Sequence, residues 1–100
     1  FKNVHLMRQP GLAEFPDSVT KRGAKHLVEL ADMVAAGNRA VMFYLIQRTD
    51  CDRFAIAGDI DPTYARELHR AMARGVEAIC YDCDIKTTGI QVRGPLRLEV

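Results

Sequence analysis

Apolar and polar residues alternate in blocks of different period along this chain. Val4-His5-Leu6 steps apolar, polar, apolar, which predicts a strand over residues 2–7. Arg8-Gln9-Pro10-Gly11 then reads as a turn, and residues 12–16 as a connector. Ala24, Leu27, Leu30, Ala31 and Val34 recur at helical spacing. They predict a helix over residues 18–36, capped by Asp17 or Ser18 and stopped by Gly37-Asn38. Ala40-Val-Met-Phe-Tyr-Leu-Ile46 is apolar without alternation, the pattern of a buried strand covered on both faces. This strand spans residues 39–48. Residues 50–58 read as an irregular loop. A second helix opens at Asp61, its N-cap, with Pro62 at the first helical position, where a missing N–H costs nothing. Ala65, Leu68, Ala71 and Met72 form its stripe, and Gly75 is the residue just past its end. Residues 76–84 form a further apolar strand, Lys86-Thr-Thr-Gly89 a hairpin turn, and residues 90–93 an antiparallel return. Gly94-Pro95 leads into a short tail over residues 96–100.

The order is strand, helix, strand, helix, strand, strand. Crossovers through a helix are right-handed and leave their strands parallel. The expected fold is therefore α/β: a mixed, mainly parallel sheet with two helices and a C-terminal antiparallel hairpin. So few strands make a thin sheet, and a domain of 100 residues buries only about 60–65% of its unfolded surface. The chain reads as one domain, a fragment of a larger protein in which a strand before Lys2 would complete the sheet.

Composition narrows the function classes. The net charge of +1 excludes a strongly basic nucleic-acid binder by bulk charge, but not a local basic patch. No apolar run approaches the roughly 20 residues of a membrane span, so no membrane partner is expected. Cys51, Cys80 and Cys83 are odd in number, which argues against a disulfide framework and for a reducing, cytoplasmic compartment. Cys80-x-x-Cys83 lies in a strand, where residues three apart point to opposite faces, and it has no second Cys/His pair of matching spacing. Asp50, Asp52, Asp59 and Asp61 do not have the spacing of a calcium loop. No metal ligands are assigned. His5, His26 and His69 fall on separate elements, and no nucleophile elbow, GxGxxG or P-loop is present.

Cations are the more informative residues. Lys21, Arg22, Lys25 and His26 crowd the start of the first predicted helix, where the helix dipole disfavours positive charge. Free N–H groups together with several cations can hold a phosphate. A solvated basic face balanced by Glu29 and Asp32 is the equal alternative. Gln47 and Arg48 leave the C-terminal end of the central strand, the sheet edge where ligands sit in open α/β folds. Arg48 could meet a phosphate there, or pair with Asp50 or Asp52. Lys2 shares a strand face with Val4 and Leu6. It could reach a scissile phosphate or a metal-bound water if an acid lay two positions earlier, a position outside this chain.

Phe15-Pro-Asp-Ser-Val-Thr-Lys-Arg-Gly-Ala-Lys-His-Leu27 resembles a signature of the sugar fermentation stimulation protein A family. So do Arg39-Ala-Val-Met-Phe-Tyr-Leu-Ile-Gln-Arg48, the helix start Asp59-Ile-Asp-Pro-Thr-Tyr64 and the stretch Ala73-Arg-Gly-Val-Glu-Ala78. The resemblance implies a C-terminal, restriction-endonuclease-like domain that follows an N-terminal barrel of oligonucleotide-binding type. It also implies DNA binding and regulation of sugar utilisation, notably of maltose. Within the nuclease-like superfamily, Lys2 looks like the lysine of an acid-x-Lys motif and so is the candidate catalytic residue. The acid is absent here, because Phe1 precedes Lys2. The resemblance therefore implies no cofactor for this chain, and Mg²⁺ only for an intact protein with acids upstream. Arg22, Lys25, Lys21, Arg48 and Gln47 are the candidate DNA-phosphate contacts. A metal-dependent nuclease and a degenerate, structural domain are the alternatives to a DNA binder.

Overall fold

The computed structural model describes residues 1–99 of the chain. Eight strands and two helices follow in the order β1 (Lys2–Val4), β2 (Leu6–Gln9), β3 (Leu12–Phe15), α1 (Lys21–Ala35), β4 (Val41–Ile46), β5 (Arg53–Ile56), α2 (Pro62–Ala73), β6 (Glu77–Lys86), β7 (Gly89–Pro95) and β8 (Arg97–Glu99). The expected mixed, mainly parallel α/β architecture with two helices and an antiparallel hairpin is what the chain forms. Its strands, however, divide between two sheets of four, ordered β1-β4-β6-β7 and β2-β3-β5-β8.

The first sheet is the expected one. β1 runs parallel to β4 with Lys2 opposite Tyr44, β4 runs parallel to β6, and β6 and β7 form the antiparallel hairpin. The second sheet is built from segments that read as connectors. The predicted strand over residues 2–7 breaks at His5, and its halves join different sheets. Leu6 therefore does not share a sheet face with Lys2 and Val4. Residues 12–15 and 53–56, read as connector and loop, pair in parallel as β3 and β5, and the tail supplies β8. Four residues are too few to show a period, and the partners that stabilise them lie some 40 positions away in sequence. Glu14 in β3 is buried, which a local reading cannot anticipate. Its carboxylate accepts two hydrogen bonds from Arg8 at 2.9 and 2.8 Å. Val100, the last residue of the expected tail, lies outside the described residues.

Both helices begin at side-chain caps. Thr20 caps α1, not Asp17 or Ser18: its Oγ1 accepts from the Gly23 N–H at 3.0 Å. A Cβ on Gly23 would come within 2.9 Å of the Thr20 side chain and 3.1 Å of the Tyr64 ring, so the glycine is what lets this turn close against α2. Asp61 caps α2 as expected, accepting from Tyr64 N–H at 3.0 Å. Its second oxygen accepts from the Thr20 N–H at 2.9 Å. One buried carboxylate thus ties the starts of the two helices together. Gly75, at φ +108°, ends α2 as predicted.

The core gathers Met42, Tyr44 and Ile46 of β4 with Leu27 and Ala31 of α1, Tyr64, Leu68 and Ala71 of α2, and Phe54 of β5. Tyr44 and Tyr64 are fully buried and their hydroxyls are hydrogen-bonded to each other. Burial pushes both phenols up, that of Tyr64 to about 12. The remaining β4 positions, Val41, Phe43 and Leu45, alternate to the opposite face. That face carries neither helix, so the expectation of a strand covered on both sides holds for one side only.

Candidate phosphate-binding cleft

Helical spacing places Arg22, Lys25, His26 and Glu29 on one side of α1, since positions i, i+3, i+4 and i+7 share a face. β1 lies at the edge of the first sheet and presents Lys2 to that side. Together these five residues line an open cleft of about 430 Å³. Among the described residues, two lysines, an arginine and a histidine therefore face a single carboxylate. No acidic residue lies in the first turn of α1 to offset the helix dipole there. Among the described residues, Lys2, Arg22 and Lys25 form no salt bridge, whereas Arg8, Arg39, Arg48, Arg53, Arg70, Arg74, Arg93 and Arg97 all do. The cleft cations keep their charge available.

The other sequence candidates sit elsewhere. Lys21 points away from the cleft and lines a smaller depression with Val19, Thr20, Ala24, Asp61 and Thr63. Arg48 is held bidentately by Asp50, at 2.8 and 2.7 Å, and donates to the His5 carbonyl at 3.2 Å. The guanidinium keeps the Asp50 carboxyl down at about 2. Of the two readings open for Arg48, the structure forms the ion pair with Asp50. Gln47 donates to the Asn3 side chain at 2.9 Å and its N–H to the Val4 carbonyl at 2.8 Å, so it ties β4 to β1. The acidic residues resolve in the same way. Asp50 and Asp59 are paired with Arg48 and Arg8, Asp52 lies beside Arg53, and Asp61 is a cap. Among the described residues no group of three His, Cys, Asp or Glu side chains could hold a metal ion. Cys51, Cys80 and Cys83 are buried free thiols.

His26, one of the clustered cations at the helix start, and Glu29, expected as a balancing charge, also line the cleft, although neither was among the candidate phosphate contacts. Their helical spacing from Arg22 and Lys25 was the available signal. The approach of Lys2 to the same cleft had none, because it depends on the parallel pairing of β1 with β4 across some 40 residues.

The fold and the cleft define a mixed α/β domain with a cationic cleft between a sheet edge and a helix start. The profile of the sugar fermentation stimulation protein RE domain matches residues 1–89, and the chain belongs to that family. It is 62% identical over 99 residues to the sugar fermentation stimulation protein homolog of Roseobacter denitrificans, covering 97% of this chain and 42% of that protein. It is 58% identical over 98 residues to the homolog of Agrobacterium fabrum, covering 98% of this chain and 41% of the relative. The solved structure of Pyrococcus furiosus SfsA in complex with Ca²⁺ superposes with a TM-score of 0.88 at 27% identity, over 98% of this chain and 42% of that one. The chain thus spans about two fifths of the length of the relatives it matches. No helix among the described residues is long and apolar enough to cross a membrane.

Proposed function

We propose that the protein binds DNA through its phosphate backbone, with Lys2, Arg22 and Lys25 as the contacting cations and His26 beside them. The observation that carries this reading is the cleft itself, which brings together from a strand edge and a helix start three cations that form no salt bridge among the described residues. Such contacts fix the protein on a duplex without reading its sequence. Lys21 and Arg48 lie outside the cleft and take a secondary part at most, Arg48 only on release from Asp50. In the full-length protein, an N-terminal barrel of oligonucleotide-binding type would extend the contact. The family name, sugar fermentation stimulation, supports linking this binding to the control of sugar utilisation, which we assign to maltose metabolism in the bacterial cytoplasm. Fluorescence anisotropy on the full-length protein and a short duplex tests the reading. Affinity should fall steeply with salt, and Arg22→Ala or Lys25→Ala should each lower the slope of log affinity against log salt by about one. A flat salt response would overturn it. An unchanged affinity in both variants would leave a purely structural domain.

A second reading, a metal-dependent nuclease, is favoured by the position of Lys2 in the cleft and by the Ca²⁺ complex of the Pyrococcus furiosus relative. The described residues do not by themselves fit a divalent ion, since Glu29 is the single carboxylate among them in the cleft. Carboxylates from elsewhere in the full-length protein would have to hold Mg²⁺, which would supply an activated water at the phosphate. A magnesium-dependent cleavage assay on the full-length protein decides. Cleavage that survives Lys2→Ala removes Lys2 from a catalytic role.

A further inference from the structure

The first sheet has one packed face and one bare face, and the bare one is strongly apolar. Val41, Phe43 and Leu45 of β4 point to it, as do Ile79 and Tyr81 of β6. Phe43 stands opposite Ile79 and Leu45 opposite Tyr81 in the strand register. The Phe43 and Tyr81 rings stack with centroids 5.5 Å apart at 11°. Val41 and Ile79 are 38% and 41% exposed. Charge is confined to the rim, where Glu77 is paired with Arg39 at 2.6 Å. A soluble domain rarely leaves a contiguous apolar patch of this kind in water.

We propose that this face is the docking surface for the part of the full-length protein that lies outside these 100 residues. Two observations and one physical argument select that occupant. The curated relatives carry more than half their length beyond the matched region, so a tethered partner of sufficient size is at hand. Tethering raises the effective concentration of such a partner to the millimolar range, ahead of a free second copy. Among the described residues, the β4 and β6 side chains of this face include no lysine or arginine, Arg39 at the rim being paired with Glu77, whereas cations accompany stacked aromatics where single-stranded nucleic acid binds. Stacked rings between branched aliphatic side chains suit the apolar stripe of a helix or the inner face of a second sheet. On this reading the 100 residues bind DNA on the cleft side and their own protein on the other.

Hydroxyl-radical footprinting with mass spectrometry on the wild-type full-length protein tests this, with no variant that could fail to fold. Met33, exposed on α1, serves as the internal reference. Ile79, Phe43 and Tyr81 should be modified several-fold more slowly than their intrinsic reactivities predict relative to Met33, at every protein concentration and with or without DNA. Protection that appears only as concentration rises would assign the face to a second copy and overturn the proposal. Protection that appears only on adding DNA, or none at all, would overturn it as well. None of these outcomes depends on whether the cleft binds phosphate, so the two proposals fail separately.

Discussion

Two basic regions of this molecule look equivalent in sequence and are opposites in structure. Arg22 and Lys25 at the start of α1, and Arg48 at the end of β4, are each cations at a place where open α/β folds bind anions. In the folded chain the first two face a cleft with Lys2 and form no salt bridge among the described residues. Arg48 is closed off by the two oxygens of Asp50 and by a backbone carbonyl. What separates Arg48 from the cleft cations is therefore its local carboxylate, whereas Lys21, which also forms no salt bridge among the described residues, is set apart by pointing away from the cleft. Arg8 makes the same point in the second sheet, where it bridges Glu14 of β3 and Asp59 of the loop before α2.

The contrast can be broken most forcefully from the cleft side. Arg22→Ala combined with Lys25→Ala should weaken DNA binding by about 100-fold at low salt and lower the salt slope by about two, measured by anisotropy on the full-length protein. A loss confined to one of the two would narrow the cleft to a single contact.

Next in size is the support beneath the cleft. Asp61→Ala removes the cap of α2 and the acceptor of the Thr20 N–H at the start of α1. It should cost about 2 kcal/mol of stability in chemical denaturation. It should also weaken DNA binding although Asp61 does not line the cleft. Full stability in this variant would show that the two helix starts are held by packing alone.

A smaller effect distinguishes the buried tyrosine pair of the core from the exposed Arg48–Asp50 pair by pH. Tyr44 and Tyr64 have folded pKa values above the ordinary tyrosine value of about 10, so the folded state favours their neutral form. That stabilisation is complete below pH 10 and is lost as pH rises through about 10 to 12. Thermal melts should therefore fall across this window, and less so in Tyr64→Phe. The Asp50 carboxyl, held at about 2 by Arg48, works in the other direction: its contribution is present above about pH 4 and is lost as pH falls towards 2. Because the pair is exposed, this acid limb should be shallow.

The smallest expected effect is the most diagnostic. Arg48→Ala should leave DNA affinity within about twofold of wild type and the salt slope unchanged, since its charge is already neutralised by Asp50. Asp50→Asn should then raise affinity slightly by releasing Arg48. A loss in Arg48→Ala as large as that in Lys25→Ala would erase the distinction between the two regions.

Sequence by itself determined the elements long enough to show a period. Both helices, the β4 strand and the β6–β7 hairpin follow from 3.6-residue stripes, an unbroken apolar run and a glycine turn. Asp61-Pro62 and Gly75 mark their ends through local backbone chemistry. The candidate cations of α1 were legible for the same reason, because residues three and four apart must share a helix face. Only the tertiary structure decided the second sheet, the burial of Glu14 against Arg8 and the capture of Arg48 by Asp50. It also decided that Lys2 joins Arg22 and Lys25 at one cleft while one face of β4 stays bare. The physical reason is common to all of these. Short strands and ion pairs have no intrinsic period, and they form only when distant segments are brought together by a core whose own pattern is local.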